Sequence, residues 1–304
     1  MYLIETNSLC KKYSGKLVID HVNMHIPEGS IYGFVGENGS GKTTIMRLLT
    51  GLATPNEGSY SLFGVDFKDP KIYETRKEIA AIVENVSYVP SMTALDNIIY
   101  QEKYLGLKLT PEERQELLAM VHLENVGKKK VKNFSLGMRQ RLGIALSMIK
   151  KPKLMFLDEP MNGLDPQGIV ELRDLLIELN QKHGLTVLIS SHILSELEKI
   201  ASCYGFISHG QLVEEISVEE LLARCEKSLV VKVEDVAHAE EVIKEMGVQK
   251  YKAFPNGDIS IYDEIDIGET VSYLNKKKVK ILSIKSVDES VEDYYLRLIR
   301  KGAK

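Results

Sequence analysis

An eight-residue stretch, Gly36-Glu37-Asn38-Gly39-Ser40-Gly41-Lys42-Thr43, constrains this chain more than any other. It fits the pattern G-x-x-x-x-G-K-[ST] and lies between an apolar run, residues 30–35 (SIYGFV), and a segment with helical patterning. Polyphosphate is held by several main-chain N–H groups at once, and glycines, which lack a Cβ, let the chain curl tightly enough to aim them. The helix that follows adds the positive end of its dipole. In that arrangement Lys42 reaches the β and γ phosphates and the Thr43 hydroxyl ligates Mg²⁺. Such a loop needs a strand behind it and a helix ahead, so an α/β fold is expected.

The same alternation continues along the chain. Residues 154–157 (LMFL) and 185–189 (LTVLI) read as buried strands, and residues 166–182 place Ile169, Leu172, Leu175, Leu176 and Leu179 at helical steps. Pro166 stands in the first turn of that helix and Gly184 just past its end. A parallel sheet is therefore predicted. Between residues 94 and 150 strand signals fade, and TPEER at 110–114 opens a helix with a capping residue. A first domain over residues 1–220, with a helical subdomain at about 90–150, is expected. After residue 225 the runs SLVVKV, AHAEEVIKEM, QKYKAF, DISIY, IGETVSYLN and VKILSIKS read as β, α, β, β, α, β. That order predicts a small α+β ferredoxin-like domain over 225–304, closed by a helix from Val291 to Ile299, with Tyr294 and Tyr295 packed on its sheet.

Composition narrows the function classes. At 304 residues the chain can bury two cores. Its 39 basic and 43 acidic residues give a net charge of −4, which argues against nucleic acid as a partner, because that affinity rests on neutralising phosphates. No uninterrupted apolar run approaches the roughly 20 residues of a membrane-spanning helix, so a membrane role would come through a partner. The N-terminus, Met1-Tyr2-Leu3-Ile4-Glu5, lacks the basic head and apolar run of a secretory signal, which predicts a cytoplasmic chain. Cys10, Cys203 and Cys225 are an odd count without CxxC spacing and read as packing residues.

A second component completes the phosphate loop. Asp158 and Glu159 end the apolar run at 154–157. One carboxylate can hold magnesium through water while the next polarises a water for in-line displacement at the γ phosphate. Loop and acidic pair together define an NTPase.

Taken as a set, Tyr13, Gly36 to Thr44, Phe134-Ser135-Leu136-Gly137-Met138, Leu154 to Glu159, Leu164-Asp165 and His192 resemble the ATP-binding-cassette (ABC) ATPases in order and approximate spacing over residues 1–220. The resemblance implies a P-loop NTPase fold, ATP and Mg²⁺ as ligands, and a head-to-tail dimer with two ATP molecules between the copies. It implies that Tyr13 stacks on adenine and that Gly36, Asn38, Gly39, Ser40, Gly41, Lys42, Thr43 and Thr44 surround the phosphates. Ser135 and Gly137 would face the nucleotide of the opposite copy, and Asp165 would let one site sense the other. Asp158 takes the place of the magnesium carboxylate, Glu159 that of the general base, and His192, after Ser190-Ser191, that of the histidine that contacts the γ phosphate and positions the base. Leu136 and Met138 depart from the usual LSGGQ, which removes the glutamine amide.

One departure points to a subfamily. Counting back six positions from Pro90 gives Glu84 where the family usually has glutamine, and a glutamate there is similar to the bacitracin and lantibiotic exporter subfamily. A carboxylate there keeps an oxygen for Mg²⁺ and adds a charge, so coupling to a partner becomes more electrostatic. The expected protein is the energy-coupling subunit of an exporter of antimicrobial or other membrane-active peptides or drugs. It would sit on the inner face of the cell membrane through an integral-membrane permease. The competing class is a soluble ABC-type ATPase clamp acting on ribosomes or nucleic acid. Such proteins generally resemble two fused cassettes or carry coiled-coil arms, which this sequence does not show.

Overall fold

The computed structural model describes every residue except 84–86, 226, 264, 303 and 304. The chain divides into two compact units, Met1–Val218 with the stretch from Leu298, and Glu219–Arg297.

A six-stranded sheet carries the first unit. Its order is Gln211–Ser217, Cys203–Ser208, Ile31–Val35, Thr186–Ser191, Leu154–Asp158 and Ile79–Ile82. Neighbours pair in parallel except at the Gln211–Ser217 edge. The runs read as strands from their apolar character form its buried middle, as two-sided burial of a parallel strand demands. Val35 pairs with Ser191 and Asp158 with Ser190. Three adjacent strands therefore end level and release their next residues along one edge, the position where open parallel sheets bind ligands.

The helix Pro166–His183 starts as expected and runs one residue longer. Asp165 caps it, its Oδ1 accepting the Gly168 N–H at 3.2 Å, and Gly184 ends it with φ 64°. Leu172, Leu175, Leu176 and Leu179 are buried, while Ile169 is half-buried. Three helices that follow Ile79–Ile82 and precede Leu154–Asp158 in the chain, Ala94–Tyr104, Pro111–Met120 and Leu136–Met148, pack against one another. The first two begin in capping boxes, Thr93 with Asp96 and Thr110 with Glu113. Arg114 joins them through a two-pronged contact to the almost fully buried Glu102, at 2.8 and 3.0 Å.

Strand and helix alternation gave no sign of a second sheet in this unit. Tyr2–Tyr13, Lys16–Val22, His25–Pro27, Glu57–Leu62 and Val65–Asp66 form a five-stranded antiparallel sheet. Tight hairpins explain how so short a segment holds it. Ser14-Gly15 and Phe63-Gly64 have positive φ at both residues, as does His209-Gly210 in the larger sheet. That geometry gives a two-residue turn whose twist suits the flanking strands. One core cluster joins both sheets through the helix Lys42–Leu49: Ile4, Leu9 and Leu62 meet Phe34, Phe156 and Leu188 around Ile45 and Met46.

In the second unit the sheet order is Tyr251–Ala253, Asp258–Ile261, Lys227–Val233 and Ile281–Asp288, antiparallel throughout. With the helices Val236–Glu245 and Ile267–Lys276 this is the ferredoxin-like arrangement expected from the sequence. Leu229, Val231, Ile243, Ile259 and Leu274 fill its core. The last helix spans Val291–Gly302, and Tyr294 and Tyr295 are buried.

The Glu102–Arg114 pair makes the helical region sensitive to acid. Arg114 holds the Glu102 carboxyl below its ordinary range. The contribution of such a pair is complete above the unfolded carboxyl pKa of about 4.3 and is lost as the pH falls through the lower folded value. Glu102→Gln is expected to lower the urea midpoint at neutral pH, with the two proteins converging in acid; equal gaps at both pH values would show that the ion pair contributes nothing.

Candidate functional site

The strand Ile31–Val35 runs into residues 36–41, and the helix Lys42–Leu49 follows at once. Gly41 stands at the cap position with φ 113°, and no side chain caps the helix. The first-turn N–H groups are thus left for an external acceptor. Gly36 cannot carry a side chain: a Cβ there would lie 2.5 Å from the Ile207 carbonyl oxygen and 2.6 Å from Ser40 Oγ. Ser40 is buried, and its Oγ has no hydrogen-bond partner.

Lys42 is 5% exposed and curls back over the loop. Its Nζ donates to the Gly36 carbonyl at 2.6 Å and the Glu37 carbonyl at 3.2 Å. Nζ also lies 3.5 Å from Glu159 Oε1, an ion-pair distance without a hydrogen bond. Thr43 Oγ1 donates to Asp158 Oδ2 at 2.6 Å. Ser190, from the neighbouring strand, donates to Asp158 Oδ1 at 2.6 Å and accepts the Glu159 N–H at 2.8 Å. His192 Nδ1 lies 2.6 Å from Glu159 Oε2, which also accepts the His192 N–H at 3.3 Å.

Lys42, Thr43, Asp158, Glu159 and His192 therefore form one cluster at the strand ends. Its donor set fits a magnesium triphosphate. Main-chain amides and Lys42 suit the phosphates, the hard oxygens of Thr43 and Asp158 suit Mg²⁺, and the orphaned Ser40 Oγ and Glu159 Oε1 await partners. Asn38 and Gly39 form the exposed crest of the loop, while Thr44 follows Thr43 half-buried in the helix.

The remaining expected residues stand elsewhere. Tyr13 ends its strand 42% exposed, with Lys11 Nζ 5.0 Å from the ring centroid. Ser135 caps the helix Leu136–Met148 through Oγ and the Met138 N–H at 3.2 Å, and Gly137 lies against Gly168, three residues past Asp165. Among the described residues no hydrogen bond or ion pair joins Tyr13, Ser135, Gly137 or Asp165 to the Lys42 cluster. Glu84 lies outside the described residues. The sequence reading passed over Ser190 as a mere neighbour of His192; its hydroxyl at the end of an apolar strand was the available signal. It also gave the cysteines no ligand role. Cys10 Sγ lies within 4.8 Å of ligand atoms of Asp20 and His21, but it accepts the His21 main-chain N–H at 3.2 Å, and His21 Nδ1 lies 2.6 Å from Asp20 Oδ1.

Residues 19–162 match the family model described as ABC transporter. The chain is similar to the bacitracin transport ATP-binding protein BcrA of Bacillus licheniformis, 37% identical over 303 residues, covering 99% of this chain and 98% of that one. It is also similar to the lantibiotic transport ATP-binding protein SrtF of Streptococcus pyogenes, 42% identical over 213 residues, covering 70% of this chain and 90% of that one. Among solved structures, cbiO1 from Clostridium perfringens, described as part of the ABC transporter complex cbiONQ, superposes with a TM-score of 0.65. It is 23% identical and covers 82% of this chain and 95% of that one, a likeness of fold.

Replacing Lys42 with Ala removes a charged donor worth about 1.5–3 kcal/mol, so ATP affinity should fall by about 10- to 100-fold. A titration with fluorescent ATP reads the change directly; an unaltered Kd would take Lys42 out of phosphate binding.

Proposed function

The chain belongs to the ABC transporter family of ATP-binding proteins, and from that premise we propose that it is the ATPase of a membrane exporter of bacitracin-like or other membrane-active peptides. The observation that carries the chemistry is Glu159: one oxygen is engaged by His192, and the other, buried and without a hydrogen-bond partner, faces the phosphate loop side at Lys42. That free oxygen is the one suited to take a proton from the attacking water as the water oxygen joins the γ phosphorus and the bond to the departing ADP breaks.

Lys42 has two duties in this scheme. Its ammonium is held by two loop carbonyls and stands near Glu159. With the triphosphate it turns to phosphate oxygens and leaves Glu159 to the water. Thr43 and Asp158 would hold Mg²⁺, which when bound supplies charge neutralisation at the phosphate oxygens. His192 keeps the Glu159 carboxylate aimed.

The separation of Ser135, Gly137 and Asp165 from the Lys42 cluster supports a second copy as the other half of the site, placed head to tail, with Tyr13 on the adenine. An integral-membrane permease would be the further partner. Among the described residues no helix is long and apolar enough to cross a membrane. A groove of about 410 Å³ is lined by Ile82, Ser87, Tyr100, Gln101 and Tyr104. Tyr100 and Tyr104 are exposed there, 52% and 78%, and offer amphipathic contacts to an incoming helix. BcrA and SrtF, the relatives whose names specify bacitracin and lantibiotic transport, support the choice of cargo.

Glu159→Gln tests the scheme. Hydrolysis should fall by about 10²- to 10⁴-fold, the usual contribution of a general base, while ATP binding persists. Light scattering in ATP and Mg²⁺ should then find a dimer, and the variant should co-purify with a hydrophobic permease chain from its own cells. Monomers at saturating nucleotide, or ribosomes in place of the permease, would refute the proposal.

A further inference from the structure

Glu159 is gripped at both ends by one strand terminus. Its main-chain N–H donates to Ser190 Oγ at 2.8 Å, and its carboxylate lies 2.6 Å from His192 Nδ1. Ser190 is fully buried, and its hydroxyl proton goes to Asp158 Oδ1 at 2.6 Å. A single hydroxyl thus donates to one acidic residue and accepts from the amide of the next. Glu159 has φ 49°, a left-handed conformation that a non-glycine residue keeps only where its surroundings hold it.

We propose that Ser190 is a positioning residue for ATP hydrolysis, its hydroxyl fixing both the face that Asp158 turns to the metal and the backbone conformation that aims Glu159 at water. This rests on the reading of Asp158 as the metal carboxylate and Glu159 as the base. With Oδ1 occupied by Ser190, Asp158 presents Oδ2 beside Thr43 Oγ1, so the two oxygens suited to share the cation arrive together. Rotation of the carboxylate would break two short hydrogen bonds. The sheet itself does not need this hydroxyl, because strand pairing of Ser190 with Asp158 runs through the main chain. Removing it would leave a buried amide and a carboxylate oxygen unpartnered, and both acidic residues free to turn.

The test compares Ser190→Ala, Ser190→Thr and Glu159→Gln in the full chain, by steady-state hydrolysis and by fluorescent-ATP affinity in Mg²⁺ and in EDTA. For Ser190→Ala, kcat and the gain in affinity that Mg²⁺ confers should each fall by about 10- to 100-fold, as when a group that orients a metal ligand is lost. Affinity in EDTA should stay near wild type, the Tm should fall by a few degrees for the lost buried hydrogen bonds with the protein still folded at the assay temperature, and Ser190→Thr, which keeps the hydroxyl, should recover the Mg²⁺ gain. A wild-type response in Ser190→Ala overturns the proposal, as does an equal loss of affinity with and without Mg²⁺, or a folded Ser190→Thr that lacks the gain. Hydrolysis retained in Glu159→Gln would refute the base reading beneath it, whereas loss there beside an unaffected Ser190→Ala refutes the positioning role alone.

Discussion

Two hydroxyls converge on the carboxylate of Asp158, Thr43 Oγ1 on one oxygen and Ser190 Oγ on the other, each at 2.6 Å. These contacts tie the helix after the phosphate loop to the ends of two strands. A half-buried carboxylate is tolerated because both oxygens receive short hydrogen bonds to a charged acceptor. Parallel pairing makes the convergence possible, since strands in register bring loop, acidic pair and His192 to a common edge. The larger sheet is thus a device for placing side chains from distant parts of the sequence.

Where neighbours in sequence do the work, the sequence was readable. The phosphate loop contains its own glycines, lysine and helix start within eight residues. The helix Pro166–His183 carries its proline, its leucine spacing and its terminal Gly184 in one segment. The ferredoxin-like unit was legible from the alternation of its six elements. Pairings made by the fold left no such trace. Glu159 and His192 stand 33 residues apart and were linked by family resemblance, not by pattern. Ser190 bonds across strands, and nothing periodic marks a hydroxyl that does so. The antiparallel sheet escaped notice because its hairpins turn on Ser14-Gly15 and Phe63-Gly64, whose leading residues take positive φ less readily than asparagine or aspartate.

The segment around Ser135 shows how a departure from the family pattern is accommodated. Leu136 replaces a glycine and stays 46% exposed. Gly163 faces it, and a Cβ there would already be 3.3 Å from the leucine side chain. The small residue leaves space for the large one, so the extra bulk at 136 does not disturb the cap that Ser135 makes. Asp165 likewise has a local duty as a helix cap, which holds the backbone of the loop it ends.

The folded-back ammonium of Lys42 bears on how the phosphate loop keeps its shape. Two carbonyls of the loop itself hold the Lys42 ammonium, so the segment is tied together by its own side chain and part of the conformational entropy of ordering it is lost during folding. A phosphate oxygen arriving at Lys42 would exchange with a carbonyl oxygen of the chain.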